Sequence, residues 1–199
     1  MILIIQNGTH KPRLMQYISE STVLVKSYQQ NVATMDISHF SKIIILGGTQ
    51  SVIRISSYPY LANVVTMIKK CIEISKPVLG ICLGCQLIAY ALDCKIRSTG
   101  KLLVGYDVNV LGHEHVFRSH IDIIEPNDKI EIISKFEDIV YLFRYGSHII
   151  GIQCHPDITP ECIATYCIDE KSITYARKNV DLINSQNQEM MDYLLKSIE

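Results

Sequence analysis

Short, continuous apolar runs alternate along this chain with longer stretches in which apolar residues recur at helical spacing. Continuous apolar runs are typical of strands buried on both faces of a sheet, as in parallel sheets covered by helices. The runs lie at Met1–Ile5, Thr22–Lys26, Ile43–Leu46 and Val78–Ile81. A more β-rich stretch then extends from Leu102 to Cys154. The pattern predicts an α/β fold.

Three helices are predicted from the spacing of apolar positions. Between Pro59 and Ser75 one stripe contains Leu61, Val64, Val65, Ile68, Cys71 and Ile72. A second helix should begin at Gly84 and continue through QLIAYAL. A third should cover Gln186–Ile198, where one face carries Met190, Met191, Leu194, Leu195 and Ile198. We therefore expect residues 1–199 to form a single domain, a mostly parallel sheet with helices on both faces.

Composition narrows the class of protein. The chain has 199 residues, close to the size of one domain of about 150 residues. Nineteen basic and twenty acidic residues give a net charge of -1, without a long basic run. We therefore expect no nucleic-acid partner and no anionic membrane surface. No apolar run approaches the roughly 18 residues that a membrane-spanning helix needs.

The cysteines and the N-terminus predict a reducing compartment. The chain starts MILIIQNGTH, without the basic lead and cleavage site of a secretory signal, and it has seven cysteines, an odd number. We therefore expect reduced thiols and a cytoplasmic location. Five of the thiols are most simply packing residues: Cys71, Cys94, Cys154, Cys162 and Cys167.

The segment GICLGCQ carries the strongest chemical signal. It places Cys82 between a buried strand and a helix, with Gly80 and Gly84 two residues to either side. This is the G-x-nucleophile-x-G elbow, with cysteine as the nucleophile. The helix N-terminus favours the thiolate form of Cys82, and the Leu83 amide is placed to bind an oxyanion. An isolated GxCxG also fits a tight turn around a buried thiol, so a base is needed to support the chemical interpretation.

The segment IIGIQCHPD supplies such a base. His155 directly follows a predicted strand, and Asp157 lies two residues further on. An imidazole within hydrogen-bond reach would take the thiol proton and return it to a leaving amine, while the acid holds the ring. Cys82, His155 and Asp157 are therefore the predicted catalytic residues.

Together these segments resemble the class I, triad-type glutamine amidotransferases, whose glutaminase domains carry a G-x-C-x-G-x-Q elbow and a later H-P-E. IIILGGTQSV is similar to the Gly-Gly-Pro loop of that family, which implies that the Gly48 amide completes the oxyanion hole with Leu83. VFRSHID resembles a Ser-His-x-Asp segment that contacts glutamine in GMP synthase glutaminase domains. The residues that the resemblance places at the substrate are Gly47, Gln86, Ser119, His120 and Asp122.

The resemblance implies a flavodoxin-like glutaminase fold with an antiparallel β-rich insertion. It also implies a Cys-dependent hydrolysis in which a γ-glutamyl thioester forms and water releases glutamate, without a metal or organic cofactor. The most similar members look like GMP synthase glutaminases and stand-alone γ-glutamyl peptidases. Glutamine and a γ-glutamyl peptide both stay open as substrates, and the possible partner is a separate synthase subunit.

Two departures from the family pattern support a different class of function. Asp157 stands where the family usually has Glu, and Thr49 stands where it usually has Pro. The shorter acid must approach the histidine more closely, and the loop that carries the oxyanion-hole amide loses a rigid residue. A catalytically silent regulatory homologue is therefore an alternative.

The spacing Cys82-x-x-Cys85 offers a second alternative, a redox dithiol or half of a zinc site. A zinc site would need two more ligands, for which His113 and His115 are the only tempting pair. Their spacing would point both side chains to one face of a strand. This alternative leaves the two glycines of the elbow and the downstream histidine unexplained.

Overall fold

A computed structural model of the protein describes residues 1–9, 14–166 and 169–198. The strands are β1 (Ile2–Gln6), β2 (Thr22–Lys26), β3 (Lys42–Ile45), β4 (Val78–Ile81), β5 (Lys95–Gly105), β6 (Arg118–Glu125), β7 (Glu131–Phe136), β8 (Ile139–Tyr145) and β9 (Ile149–Ile152). The α-helices are α1 (Pro59–Glu73), α2 (Leu83–Ala91), α3 (Ile163–Tyr166), α4 (Glu170–Lys178) and α5 (Val180–Lys196). Short 3-10 turns lie at Leu14–Tyr17, Val32–Thr34, Val52–Ser57 and Pro160–Cys162.

The main sheet has the strand order β2-β1-β3-β4-β9-β8-β7. Its first five strands run parallel, whereas β8 is antiparallel to β9 and β7 is antiparallel to β8. Strands β5 and β6 form a separate antiparallel pair. The predicted α/β fold with a mostly parallel sheet is confirmed, as is the antiparallel insertion. Its first strand begins at Lys95, earlier than the predicted Leu102, directly after α2.

The faces of the sheet pack against different helices. In β1, Leu3 and Ile5 belong to a core with residues of α1 and α2, whereas Ile2 and Ile4 belong to a core with residues of α5. All four side chains are fully buried, as are those of Ile43, Ile44 and Ile45 in β3 and of Val78, Leu79 and Ile81 in β4. Helices therefore cover both faces, which explains why these strands appear in the sequence as continuous apolar runs.

Two helix boundaries differ from the prediction. Helix α2 begins at Leu83, one residue early, and α5 begins at Val180, six residues before the predicted Gln186. The first turns of α5 are mostly polar, and their buried Ile183 packs in a separate small cluster with Phe117. The apolar stripe of the C-terminal half therefore does not extend into them. No helix in the described ranges is long and apolar enough to cross a membrane.

The cysteines predicted to be packing residues are buried free thiols where the structure describes them: Cys71, Cys94, Cys154 and Cys162. Cys167 lies outside the described residues. Burial raises the pKa of the Cys71 thiol to about 12, which keeps it protonated. These side chains behave as small apolar residues of the core.

Candidate active site

Cys82 lies at a sharp turn from β4 into α2. Its backbone angles are φ 51° and ψ -108°, a conformation that side-chain-bearing residues rarely adopt. The flanking glycines make this turn possible, because a Cβ on Gly84 would lie 2.0 Å from the carbonyl oxygen of Ile45. A Cβ on Gly80 would lie 2.5 Å from Ile88 Cδ1. The predicted elbow is therefore present, with the thiol at the N-terminus of a helix.

His155 and Asp157 reach the same point from the end of β9. The His155 amide donates to the carbonyl of Phe117 at 2.7 Å, which anchors the segment to the start of β6. The Nδ1–H of His155 donates to Asp157 Oδ1 at 3.1 Å, and the same ring lies next to Cys82, close enough to interact with it electrostatically. His155 is 8% exposed and Cys82 is 6% exposed. The structure thus brings the three predicted residues together in a site with little exposure to solvent.

The charges around His155 favour its protonated form. Burial lowers its pKa, but the charge of Cys82, the charge of Asp157 and hydrogen bonds to both residues raise the pKa to about 10. An imidazolium beside an anionic sulfur is the arrangement that a cysteine nucleophile needs at neutral pH. The same proton is then available for a leaving group.

The Gly47–Gly48 loop after β3 closes over this pair. A Cβ on Gly47 would lie 3.1 Å from His155 Cε1 and 3.3 Å from Cys82 Cβ, so the backbone is in contact with both residues. A Cβ on Gly48 would lie 3.0 Å from Leu83 Cδ2. The two residues predicted to supply oxyanion-hole amides are therefore neighbours.

Two cavities meet at Cys82. The larger, of about 540 Å³, is lined among others by Gly48, Leu83, Gln86, Ser119, His120 and Asp122. The smaller, of about 140 Å³, lies on the His155 side and is lined by Gly47 and by the end of β1. Ser119 borders both cavities, and its backbone carbonyl lies 3.8 Å from the Cys82 sulfur. The residues predicted to bind substrate therefore all line a space that opens onto Cys82.

Polar residues of three kinds line the larger cavity. The Asp122 carboxylate is buried and accepts a short hydrogen bond from the Ser51 hydroxyl. His120 Nδ1 bonds the backbone carbonyl of Asp122 at 3.1 Å, which leaves its buried Nε2 without a partner among the described residues. Burial lowers the pKa of His120 to about 4, so this nitrogen is a neutral acceptor. Arg54 adds an exposed positive charge to the wall.

Gln86 makes contacts that the sequence did not indicate. Its Nε2 donates to the Asp122 backbone carbonyl at 3.0 Å and to Gln153 Oε1 at 3.2 Å. Gln153 is fully buried, and its Nε2 lies 3.7 Å from the Cys82 sulfur. Sequence reasoning missed Gln153, although a polar residue directly after the buried run IIGI was a usable signal.

Comparison with known proteins shows which family the chain belongs to. Residues 3–173 match the family described as glutamine amidotransferase class-I. The chain belongs to this family.

Relatives of this amidotransferase support the same assignment. A glutamine amidotransferase-like protein of Acanthamoeba polyphaga mimivirus is 50% identical over 195 residues, which cover 98% of this chain and 95% of the viral protein. One subunit of the glutamine-hydrolyzing GMP synthase of Methanothermobacter thermautotrophicus is 29% identical, covering 79% of this chain and 89% of the subunit. A glutamine amidotransferase structure from Methylobacillus flagellatus has a TM-score of 0.79 at 14% identity, covering 100% of this chain and 95% of the other. Full GMP synthases match over 22% to 34% of their own length.

The alternative built on Cys85 finds little support in this amidotransferase. Cys85 is fully buried, and burial raises its pKa well above the ordinary range, which opposes thiolate formation. His113 and His115 lie in an irregular segment between β5 and β6, so the prediction that they share a strand face is wrong. His113 faces Glu189 at 3.9 Å, while the His115 ring stacks on an aromatic ring of α4. Within the described ranges, no group of three His, Cys, Asp or Glu side chains is placed to hold a metal ion.

Sequence reasoning also missed Arg118. Its guanidinium binds both carboxylate oxygens of Asp107, at 2.7 and 2.5 Å, and donates to the Tyr141 hydroxyl at 2.5 Å. These bonds fix the start of β6 beside β8. They therefore help to hold Ser119, the next residue, against Cys82.

Proposed function

We propose that this protein is a Cys-dependent hydrolase of γ-glutamyl amides, similar to the glutaminase component of GMP synthases. The observation that carries the proposal is the meeting of Cys82, His155 and Asp157 at the elbow, with a cavity on each side of the sulfur. A silent homologue would have no need to keep a strained cysteine beside a charged histidine.

The reaction begins with attack of the Cys82 sulfur on the γ-carbonyl carbon. His155 gives its proton to the departing nitrogen, and Asp157 holds the ring through Nδ1. The amides of Leu83 and Gly48 stabilise the oxyanion, a contribution worth on the order of 10²-fold in rate for each donor. Water, activated by the same histidine, then hydrolyses the γ-glutamyl thioester and releases glutamate.

The larger cavity binds the α-amino acid end of the substrate. The Asp122 carboxylate accepts hydrogen bonds from the α-ammonium group, and the neutral His120 imidazole lines the same wall without repelling that charge. Arg54 faces the same space and binds the α-carboxylate as an ion pair. A cavity lined by both an acidic and a basic side chain selects a free amino acid end over an uncharged amide.

Two fates of the leaving group are proposed from different observations. The resemblance to a GMP synthase component encoded as its own chain supports release of ammonia to a separate synthase subunit. The smaller cavity supports a second candidate function, a stand-alone γ-glutamyl peptidase, because it offers a leaving amine space beside Gln6 and Ile158. The two functions share one chemistry and differ in the leaving group.

The test measures glutamate release from glutamine and from a γ-glutamyl dipeptide, with Cys82→Ala as the blank. Release from the dipeptide supports the peptidase, and release from glutamine alone supports a glutaminase that serves a synthase. A diazo-ketone analogue of glutamine should label Cys82 and spare Cys85. No release from either substrate, together with even labelling of all thiols, would contradict the hydrolase.

A further inference from the structure

We infer that Gln153 is a hydrogen-bond donor to the nucleophilic sulfur of Cys82 and that Gln86 holds it in the donating orientation. The inference rests on the proposed function only in taking Cys82 as the nucleophile. It assigns Gln86 a positioning role beneath the sulfur, in addition to its place in the cavity wall.

The direction of each hydrogen bond follows from a group that can only accept. The backbone carbonyl of Asp122 accepts from Gln86, so the Gln86 side chain must present its NH2 group there, at 3.0 Å. The same NH2 group has a second hydrogen, and its nitrogen lies 3.2 Å from the Gln153 side chain. Gln153 must therefore present its Oε1 to Gln86. Its NH2 group is then left facing the Cys82 sulfur at 3.7 Å.

The backbone and the burial of Gln153 hold this arrangement. Its amide donates to the carbonyl of Tyr141 at 2.9 Å, so the residue is paired to β8 directly after β9 ends. The side chain is fully buried and Gln86 is 4% exposed, so water does not compete for these groups. A buried amide donor next to an anion is a charge-assisted hydrogen bond, about twice as strong as a neutral one.

The other two neighbours of the sulfur, the Ser119 carbonyl and His155, stabilise different protonation states of Cys82. The Ser119 carbonyl, 3.8 Å away, can only accept and so serves the protonated thiol. His155 and Gln153 can both donate to the anion. Gln153 therefore increases the fraction of reactive sulfur without touching the substrate.

The experiment follows the rate of Cys82 alkylation by iodoacetamide against pH, which needs no substrate. Gln153→Met keeps the length of the side chain and removes the donor. The half-maximal rate should move up by about one pH unit, a roughly tenfold slower reaction on the acidic side. Gln153→Glu places an oxygen in front of the sulfur and should shift the profile at least as far. Gln86→Met frees the Gln153 amide and should give a smaller shift of the same sign.

The matched control is Cys85→Ala, which disturbs packing beside the elbow without removing a donor. It should lower the melting temperature and leave the midpoint of alkylation unchanged. Folded Gln153→Met and Gln153→Glu proteins that alkylate with the wild-type profile would overturn the inference. Wild-type and Cys82→Ala proteins that alkylate equally would instead remove the nucleophile from the proposed function, so the two failures can be distinguished.

Discussion

The imidazole of His155 and the carboxylate of Asp157 share a hydrogen bond of 3.1 Å, although only one residue separates them in the chain. Both side chains are largely buried, at 10% and 13% exposure. Because the shorter acid already reaches Nδ1, the site does not need the extra methylene of Glu. With Nδ1 bound to the acid, Nε2 is the ring nitrogen that remains for the Cys82 sulfur.

The first prediction concerns this acid. Asp157→Asn should reduce kcat for γ-glutamyl hydrolysis by about 10²-fold or more, since an amide can stabilise the wrong tautomer and no longer balances the imidazolium. Asp157→Glu should keep turnover at or above the wild-type level. Steady-state kinetics with both variants check the prediction. A large loss in Asp157→Glu, with an unchanged melting temperature, would show that the site is built around the shorter acid.

The second prediction concerns the elbow. Gly84→Ala should destabilise the fold by about 3 kcal/mol or more, because the new Cβ would lie 2.0 Å from a backbone oxygen of β3 that cannot move alone. The matched control is Gly100→Ala. That glycine has a φ of 74° but no atom within 4 Å of a new Cβ, so only the backbone strain of about 1 kcal/mol applies. Urea unfolding of both variants measures the difference, and equal losses would contradict the clash.

The fold was predictable from sequence because its signals are local. The buried strand at Val78–Ile81 and the helix after Pro59 appear at their predicted positions, since apolar periodicity alone defines them. The start of α5 was not predictable, because its first turns pack on a small cluster that the stripe does not reveal.

Some residues of the candidate site were also predictable from the sequence, and others were not. Cys82 and His155 stand out because each joins a strand end to a distinctive short motif. The contact between Gln153 and the sulfur joins residues 71 apart in the chain, and it depends on the register of β9 beside β4. The polar residue after the run IIGI is visible in the sequence, but no local pattern shows that its side chain contacts the sulfur. The unpartnered nitrogen of His120 is equally a property of packing among the described residues.

The third prediction concerns pH and His120. Its folded-state pKa of about 4 lies below the ordinary value, so the unfolded chain binds the proton first as the pH falls. Stability from this residue is therefore present above about pH 6.5 and lost toward pH 4. Between pH 7 and pH 5 the wild type should lose about 2 kcal/mol more than His120→Gln.

Urea unfolding of the two proteins at both pH values measures this difference. Comparing the two proteins removes the contribution of His155, whose raised pKa acts in the opposite direction. Equal losses in the wild type and His120→Gln would mean that His120 takes up a proton as readily in the folded state as in the unfolded chain.

The fourth prediction concerns recognition of the α-carboxylate. Arg54→Ala should raise KM for glutamine about tenfold with little change in kcat, because the charge lies in the cavity wall, away from the reacting bond. Asp122→Asn should also raise KM, through the α-ammonium group. The matched control is Arg97→Ala, since Arg97 is half-exposed on β5 and pairs with Glu125 at 3.0 Å. Wild type and Arg97→Ala should have a higher KM for glutamine with an amidated α-carboxylate than for glutamine itself. In Arg54→Ala this difference in KM should disappear. Equal KM values for wild type and Arg54→Ala would place the α-carboxylate elsewhere in the cavity.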